Sequence, residues 1–357
     1  MKNKYTVGFI TTSLSSAGGW DSCSRGVIPA IAREANVIVL TQRDANNDRF
    51  DFPIHRVIPQ NIRYHLRTQL GVFWAVLKYL RGCQVVHAMM EPYAPGAALA
   101  AKLIGAKFYI TVAGTYAVPP GGMHPRRFLK RQMMKFMYRE SASLASGSER
   151  TVRMAEQVVG PIRWHFIPNG VDPTLFYRLP NIPPPAHPFI LTVGEVKPRK
   201  GADVTIEAMA WLKDKYPDLV YNIVGNTGKS EFVAQLKKMA KESGLERRVH
   251  FLGRISDEDL RLLYNQCTAF VLAAQTRDGS FEGFPMVFYE AQGCGAPIIS
   301  TYGFGSEYVV KNGYNGFLVE ENSAAALAEA IEKIVSNPNL QKQMRENSLI
   351  EAEKHTW

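Results

Sequence analysis

Two carboxylates, Glu282 and Glu290, are the first residues in this 357-residue chain whose type and spacing could do chemistry. Glu282 is predicted to lie in a polar, Gly-containing loop, and Glu290 on the second turn of a helix that begins at Met286. The N–H groups at a helix start, together with the positive end of the helix dipole, favour a bound anion. Carboxylates accept hydrogen bonds from hydroxyl groups. The pattern therefore suits a ligand with negative oxygens and sugar hydroxyls, and two solvated acids fit it equally well.

A group of cations follows a predicted strand at residues 189–193. Lys197, Arg199 and Lys200 lie within four residues, just ahead of Gly201 and a predicted helix. Lys and Arg side chains beside a helix N-terminus can clamp a diphosphate. A solvated basic turn is the alternative, and the position directly after a strand favours the functional interpretation.

Three glycine-containing turns also follow predicted strands. Gly18 and Gly19 come after the first strand, and their lack of a side chain lets the backbone approach a phosphate. Gly225 lies in a turn suited to the close passage of a base or ribose, and Arg254 lies in a further turn of this kind. Taken singly, each turn is explained as well by an ordinary reversal of the chain.

Two patterns that resemble metal sites have simpler explanations. Asp257, Glu258 and Asp259 match a DxD pattern, but Ser256 precedes them at a predicted helix start, which is a capping arrangement. The histidines, such as His87, have no partner at metal-ligand spacing and are predicted to be core or surface residues. We therefore predict no metal site.

Composition narrows the class of protein. The chain is 46% hydrophobic, and no run of eighteen apolar residues predicts a transmembrane helix. The N-terminal sequence lacks the architecture of a signal peptide. The four cysteines are scattered, which indicates neither disulfides nor structural zinc and favours a reducing cytoplasm.

Charge is unevenly distributed along the chain. Through Phe166, Lys and Arg number 22 and Asp and Glu number 9, a balance of +13, so the remainder of the +10 chain carries −3. A basic half predicts an anionic partner. The helix predicted at 126–139 has Leu129, Met133, Phe136 and Met137 on one face and cations elsewhere, and we predict peripheral contact with the inner face of a membrane there. An ordinary helix packed on a sheet is the alternative, and no nucleic-acid partner is predicted.

The order of predicted elements indicates an α/β fold. Strands and helices alternate in both halves, which is typical of mostly parallel sheets covered on both faces. Seven prolines interrupt residues 168–188, and we predict a linker there, between an N-terminal domain at 1–167 and a C-terminal domain at 189–357. In such doubly wound domains, ligands bind at the carboxyl ends of the strands.

These motifs resemble the retaining glycosyltransferases of family 4, the glycosyl transferases group 1. The strongest match is the Glu-x7-Glu motif that runs from Glu282 to Glu290. The resemblance extends over most of the chain through IPNGVD at 167–172, the VG…KG loop at 193–201, IVGN at 223–226, FLGRIS at 251–256 and EYVVKNGYNGFLV at 307–319. The resemblance implies the GT-B architecture, in which two Rossmann-like domains face each other across a cleft.

The resemblance also implies a function and the residues that perform it. The donor would be a UDP- or GDP-sugar bound mainly by the second domain, with no metal ion or other cofactor. Lys200 and Arg199 would hold the diphosphate, Glu282 the sugar, and Glu290 the ribose. Further donor contacts would come from Gly18, Gly19, Gly225, Arg254, Gly283, Phe284, Met286 and Val287. The acceptor, a glycan, a lipid-linked sugar or a small molecule, would lie mainly on the first domain, beside Glu91, Thr115 and Tyr116.

The chain departs from the family pattern at three places. Many members carry His where this chain has Ala113, and Arg where it has Glu195. Relatives usually continue beyond Trp357 into a last helix that crosses back to the first domain. The departures at Ala113 and Glu195 suggest a non-catalytic or weakly active nucleotide-sugar-binding protein as one alternative. A nucleotide-sugar epimerase of the same architecture is another.

Overall fold

The chain forms two compact units, which are described separately. The computed structural model describes residues 5–15, 19–47, 49–60, 64–118, 125–227, 231–277 and 279–357. The first unit comprises residues 1–169 with Trp357, and the second comprises residues 170–356. Most residues of the predicted linker therefore belong to the second unit.

The described residues of the first unit form seven strands and five helices. The strands are β1 (Thr6–Ile10), β2 (Asn36–Gln42), β3 (Ile54–Ile58), β4 (Val85–Ala88), β5 (Lys107–Val112), β6 (Ser141–Ser146) and β7 (Trp164–Phe166). The helices are α1 (Gly19–Ala32), α2 (Leu66–Tyr79), α3 (Ala94–Leu103), α4 (Pro125–Glu140) and α5 (Glu149–Val159). Two 3-10 turns, Glu91–Tyr93 and Thr115–Ala117, follow β4 and β5.

All strands of the first sheet are parallel, in the order β3-β2-β1-β4-β5-β6-β7. The chain first moves from β1 outward to β3 and then returns to β4, so the winding direction reverses between β1 and β4. Right-handed crossovers then place α1 on one face of the sheet and α2, α3 and α4 on the other. Apolar side chains of β4 and β5, such as Val86 and Ile110, are buried against Val72 and Val76 of α2.

In the part of the second unit that the structure describes, there are six strands and seven helices. The strands are β8 (Phe189–Val193), β9 (Val220–Val224), β10 (Val249–Gly253), β11 (Ala269–Leu272), β12 (Ile298–Thr301) and β13 (Gly316–Val319). The helices are α6 (Ala202–Leu212), α7 (Glu231–Glu242), α8 (Asp257–Gln266), α9 (Val287–Gly293), α10 (Ser306–Val309), α11 (Ala324–Val335) and α12 (Pro338–Ala352). A 3-10 turn at Pro198–Lys200 precedes α6.

The second sheet is also parallel, in the order β10-β9-β8-β11-β12-β13. All five residues of β8 and all four of β11 are buried, because helices cover both faces of a parallel sheet. The winding direction reverses between β8 and β11. The predicted α/β class with two parallel-sheet units is confirmed.

Candidate nucleotide-sugar site

The loops that follow β8 and β11 start side by side. The two strands pair in parallel, with Ala269 opposite Ile190 and Phe270 opposite Leu191. Their carboxyl ends therefore emerge at the same edge of the sheet, at the point where the winding direction reverses. Ligands of doubly wound folds bind at such a switch point. The loop after β8 carries Arg199 and Lys200, and the loop after β11 carries Glu282.

The three charged side chains form a compact ion triad. Lys200 Nζ donates a hydrogen bond to Glu282 Oε2 at 3.0 Å. Arg199 Nε lies 2.5 Å from Glu282 Oε1, without the alignment of a hydrogen bond, so this contact is an ion pair. The side chains of Lys200, Arg199 and Glu282 are 11%, 25% and 8% exposed. Two cations around one carboxylate leave one positive charge for an anionic ligand.

The triad keeps Glu282 ionised. Burial by itself raises the pKa of this carboxyl. The charges of Lys200 and Arg199, together with their contacts to the carboxylate, lower the pKa by more than burial raises it. The pKa of Glu282 therefore lies below its ordinary value. An ionised carboxylate between two cations orients both of them and can still accept hydrogen bonds from ligand hydroxyls.

Backbone packing fixes the basic loop on the sheet. Gly201 has φ +68°, and a Cβ there would overlap the carbonyl oxygen of Ala273, the residue that follows β11. The N–H of Gln275 donates to the carbonyl of Arg199 at 2.8 Å. At Gly194, a Cβ would lie 3.3 Å from Lys200 Nζ. The Lys200 side chain therefore lies along the backbone of Gly194, where any larger residue would crowd it.

Gly201→Ala is expected to lower the free energy of unfolding by about 2 kcal/mol or more. Left-handed backbone alone costs a residue with a Cβ about 1–2 kcal/mol, and the overlap with Ala273 adds to that cost. Gly244→Ala is the matched control, because Gly244 has φ +73° and only Lys213 Nζ within 4 Å, so it should show the backbone cost alone. Urea unfolding measures both variants, and equal losses would contradict the close packing at Gly201.

Glu290 lies beside the triad at the start of α9. This helix begins at Val287 with Met286 as N-cap, so Glu290 lies in its first turn, whereas the sequence predicted the second. Tyr264 donates a hydrogen bond from its hydroxyl to Glu290 Oε2 at 3.0 Å. Burial, with a smaller contribution from the charge of Asp257, raises the pKa of Glu290 to about 7, against the opposing effects of Tyr264 and Lys200. A carboxyl of this kind can donate or accept hydrogen bonds with hydroxyls near neutral pH.

Packing of aromatic rings positions the backbone at Gly283 and Phe284. Gly305 has φ +72°, and a Cβ there would lie 2.5 Å from Cδ2 of Phe284. The Phe284 ring also packs on Tyr289 and Tyr308, with centroids 5.6 and 6.2 Å apart. The backbone between Glu282 and α9 is thus held from the side of α10.

The two other turns of the second unit differ in their distance from the triad. Gly225, at φ +141°, lies so close to Gly194 that a Cβ would overlap the Gly194 carbonyl oxygen. The turns after β8 and β9 therefore touch. Arg254 is exposed after β10, whose pairing shifts register between Phe251 and Gly253, and it follows a strand two positions from β8.

The first unit places a buried carboxyl at its own switch point. Glu91 follows β4, is fully buried, and accepts a hydrogen bond at Oε1 from the N–H of Ala113 at 2.7 Å. Its Oε2 is buried and has no hydrogen-bond partner among the described residues. Burial raises the pKa of Glu91 to about 7, and the hydrogen bond from Ala113 and the charge of Lys130 act in the opposite direction.

The other residues predicted on the acceptor side lie in the turn after β5. Thr115 opens the 3-10 turn, and the exposed ring of Tyr116 packs on Trp20 at a centroid distance of 5.3 Å. Of the predicted glycine pair, Gly19 is the first residue of α1, and Gly18 lies outside the described residues.

Several residues that shape these sites were not predicted. Tyr64 donates to the Tyr116 carbonyl at 2.9 Å, and Tyr138 donates to the Ala117 carbonyl at 2.5 Å. Tyr264 and Gln275 support Glu290 and Arg199 in the same way. Each supporting group comes from a distant part of the chain, so no local pattern in the sequence indicates it.

Glu195 and Ala113, the two residues that depart from the family pattern, each contact a charged residue. The exposed Glu195 forms an ion pair with Lys197 at 2.7 Å, so its charge is offset within the same loop. Ala113 contributes the N–H that binds Glu91. The DxD pattern is a capped helix start as predicted, because Ser256 accepts a hydrogen bond from the N–H of Asp259.

The described ranges contain neither a cluster of metal-binding side chains nor a helix that could span a membrane. No group of three His, Cys, Asp or Glu side chains there could hold a metal ion. No helix in the same ranges is long and apolar enough to cross a membrane.

Two family patterns match consecutive parts of the chain. The pattern described as "Glycosyl transferases group 1" matches residues 179–349, and the pattern described as "Glycosyl transferase 4-like domain" matches residues 18–170. Together they cover most of the sequence, including Glu91 and the three residues of the ion triad. The chain belongs to the group 1 glycosyltransferases with the GT-B fold.

Individual relatives agree with this assignment. An uncharacterized glycosyltransferase from Haemophilus influenzae is 32% identical over 167 residues, which is 46% of this chain and 44% of that protein. A GDP-mannose-dependent alpha-(1-6)-phosphatidylinositol monomannoside mannosyltransferase from Mycolicibacterium smegmatis is 28% identical over 42% of this chain and 39% of its own length. Each matched segment thus spans less than half of the curated relative.

The fold is shared with solved structures over nearly the whole chain. The structure of Anabaena HepE in complex with UDP and glucose superposes with a TM-score of 0.77 at 19% identity, covering 98% of this chain and 95% of that one. At this identity the comparison shows the shared fold alone.

Proposed function

We propose that the protein is a retaining, metal-independent glycosyltransferase that moves a hexose-type sugar from a UDP- or GDP-sugar to an acceptor hydroxyl. The observation that carries the proposal is the meeting of Lys200, Arg199 and Glu282 at the switch point of the second unit. The family supports a retaining outcome. The two cations, rather than a divalent ion, would balance the charge that develops on the departing diphosphate.

The triad suggests how donor binding begins. A diphosphate competes with Glu282 for Lys200 and Arg199, and Arg199 can bind phosphate oxygens in a bidentate manner. Glu282 then loses part of its ion pairing and offers its oxygens to sugar hydroxyls. Cations aimed at a leaving group that gains charge lower the barrier to its departure. Glu282 thus orients the cations in the empty site and the sugar in the occupied one.

The remaining donor contacts follow from the neighbouring elements. Glu290, with a pKa of about 7, would hydrogen-bond the ribose hydroxyls. The backbone at Gly283, Phe284, Met286 and Val287 would contact the sugar and its phosphate. Gly225 would let the nucleoside pass close to the backbone, and Arg254 would border the base.

Relatives support both kinds of donor nucleotide. The mycobacterial relative is GDP-mannose-dependent by its name, and HepE has been solved with UDP and glucose. The acceptor would be a glycan, a lipid-linked sugar or a small molecule. It would bind on the first unit near the turn at Thr115–Ala117, above the buried Glu91.

A panel of UDP- and GDP-sugars, incubated with candidate acceptors in EDTA, tests the proposal. We expect one donor to release its nucleotide in an acceptor-dependent way, at a rate that EDTA leaves unchanged. NMR of the product should show the anomeric configuration of the donor. Tight nucleotide binding without turnover would replace the proposal with a binding function, and interconversion of donor sugars without transfer would indicate an epimerase.

A further inference from the structure

The first unit exposes an unusual set of large apolar side chains on three neighbouring helices. We call this surface the three-helix face, and each of its apolar members is at least 44% exposed. Its apolar members are Leu66, Leu70 and Trp74 of α2, Leu99 and Leu103 of α3, and Phe128 and Leu129 of α4. In α2 the spacing of four residues places all three on one stripe.

The topology places these side chains on one surface. The helices α2, α3 and α4 connect β3 to β4, β4 to β5 and β5 to β6. These connections all cross the sheet in the same direction, so right-handed crossovers put the three helices on the same face. A Cβ at Gly96 of α3 would overlap the backbone of Gln69 of α2, so these two helices pack closely. Because both helices run in the same direction from that contact, Leu99 and Leu103 lie about level with Trp74.

The side of the three helices that faces the sheet is already buried in the core of the first unit. Met137 of α4 is buried in the core and Phe136 packs against it, so the apolar face predicted from the helical wheel of α4 packs on the protein over its second half. Leu129, at the other end of the same predicted face, is exposed. A membrane contact through α4 alone would therefore rest on little apolar surface, and the three-helix face is much larger.

The charge of the three helices is almost entirely positive. Their exposed cations are Arg67, Lys78, Lys102, Arg127 and Arg139, and the three helices carry one acid, Glu140. The acid is paired with Lys102 at 2.8 Å. Such a surface repels a second copy of itself. A nucleic acid would leave the leucines without a partner, whereas an anionic bilayer matches both the cations and the apolar stripe.

We propose that the three-helix face lies on an anionic lipid surface. Its leucines and Trp74 enter the boundary between headgroups and acyl chains, where Trp is favoured. Its cations contact the headgroups, each raising the partition onto the lipid by about fivefold. The inference depends only on the first unit, so it stands or fails independently of the proposed sugar transfer.

Flotation of the full chain with vesicles tests the proposal. Vesicles of equal phosphatidylglycerol and phosphatidylcholine should bind the protein at least about tenfold better than phosphatidylcholine alone. Binding should weaken as salt is raised, because the electrostatic part is screened. Leu70→Ser with Trp74→Ser should reduce binding at least about tenfold, and Arg67→Glu with Lys78→Glu should reduce it at least as strongly.

Matched controls come from the second unit. Trp211 on α6 is 68% exposed against 64% for Trp74, so Trp211→Ser should leave binding unchanged. Lys238→Glu on α7 is the control for the charge reversals. Brominated lipid should quench tryptophan fluorescence in the wild type and in Trp211→Phe but much less in Trp74→Phe.

Three results would overturn the proposal. They are equal binding to neutral vesicles, unchanged binding of the Leu70/Trp74 variant, and loss of a dimer in that variant on gel filtration. The last would show that a second copy covers the face instead. Circular dichroism of each variant confirms that the substitutions, all at exposed positions, leave the fold intact.

Discussion

Lys200→Met is expected to lower kcat/KM for sugar transfer by about 10²–10³, the usual effect of removing one group that stabilises developing negative charge. The side chain is 11% exposed and points its ammonium at Glu282, in the loop that faces the incoming diphosphate in the proposed complex. Methionine keeps the length and the apolar stem but removes the charge. Initial rates with the identified donor and acceptor measure the effect.

A loss of activity through altered stability must be separated from a loss of catalysis. Lys200→Met removes a charged hydrogen bond from a buried carboxylate, so the free energy of unfolding should fall by about 1.5–3 kcal/mol. Arg199 still pairs with Glu282 in this variant, so combining Lys200→Met with Arg199→Met, which leaves the buried carboxylate without a cation, should cost more stability than Lys200→Met alone. Lys238→Met, at an exposed lysine, should change neither quantity. A Lys200→Met enzyme with normal kcat/KM would show that the diphosphate is held elsewhere.

The secondary structure of this chain is largely encoded by local patterns. The strand predicted at residues 189–193 agrees with β8 residue for residue, because a continuous apolar run flanked by polar or Gly residues defines a buried parallel strand. At the junction of α4 and β6, the helix predicted at 126–139 ends at Glu140, within one residue of the prediction. The strand begins at Ser141, immediately after the helix, where pairing with β5 overrides the helical preference of Ala142.

The sequence indicates candidate residues for a donor site, but it does not indicate the contacts between them. Lys200 and Glu282 are 82 positions apart, and only the pairing of β8 with β11 brings their loops together. The sequence assigned the cations to the diphosphate and Glu282 to the sugar as separate roles. The structure joins them in one triad, so the two cations assigned to the diphosphate are the same cations that pair with Glu282.

The burial of Glu91 is a second feature that the sequence does not reveal. The resemblance implied the acceptor side for Glu91, but a glutamate between Met90 and Pro92 gives no sign that it is fully buried. The cause is tertiary, because the turn after β5 covers it and donates the N–H of Ala113 to its carboxylate. This burial has a measurable consequence for stability.

Glu91→Gln is expected to stabilise the protein at alkaline pH and to leave it nearly unchanged at pH 5. Burial raises the pKa of Glu91 from 4.5 to about 7, so between these values the folded state binds more protons than the unfolded state. Stability from this group therefore falls as pH rises through that window and is constant above it. At 1.36 kcal/mol per unit, the full cost at pH 8 is on the order of 3 kcal/mol. Glutamine keeps an acceptor for Ala113 and has no charge to desolvate.

Urea unfolding of the wild type and the variant between pH 5 and pH 8.5 measures the difference at each pH. The cation of Lys130 favours ionised Glu91, so Lys130→Met should lower stability at pH 8 in the wild-type background and much less in Glu91→Gln. Glu290 has a similarly raised pKa, but it contributes equally to both proteins and cancels from the difference. A difference that stays constant from pH 5 to 8.5 would show that Glu91 ionises near its ordinary pKa in the folded protein, and that the turn above it opens to water.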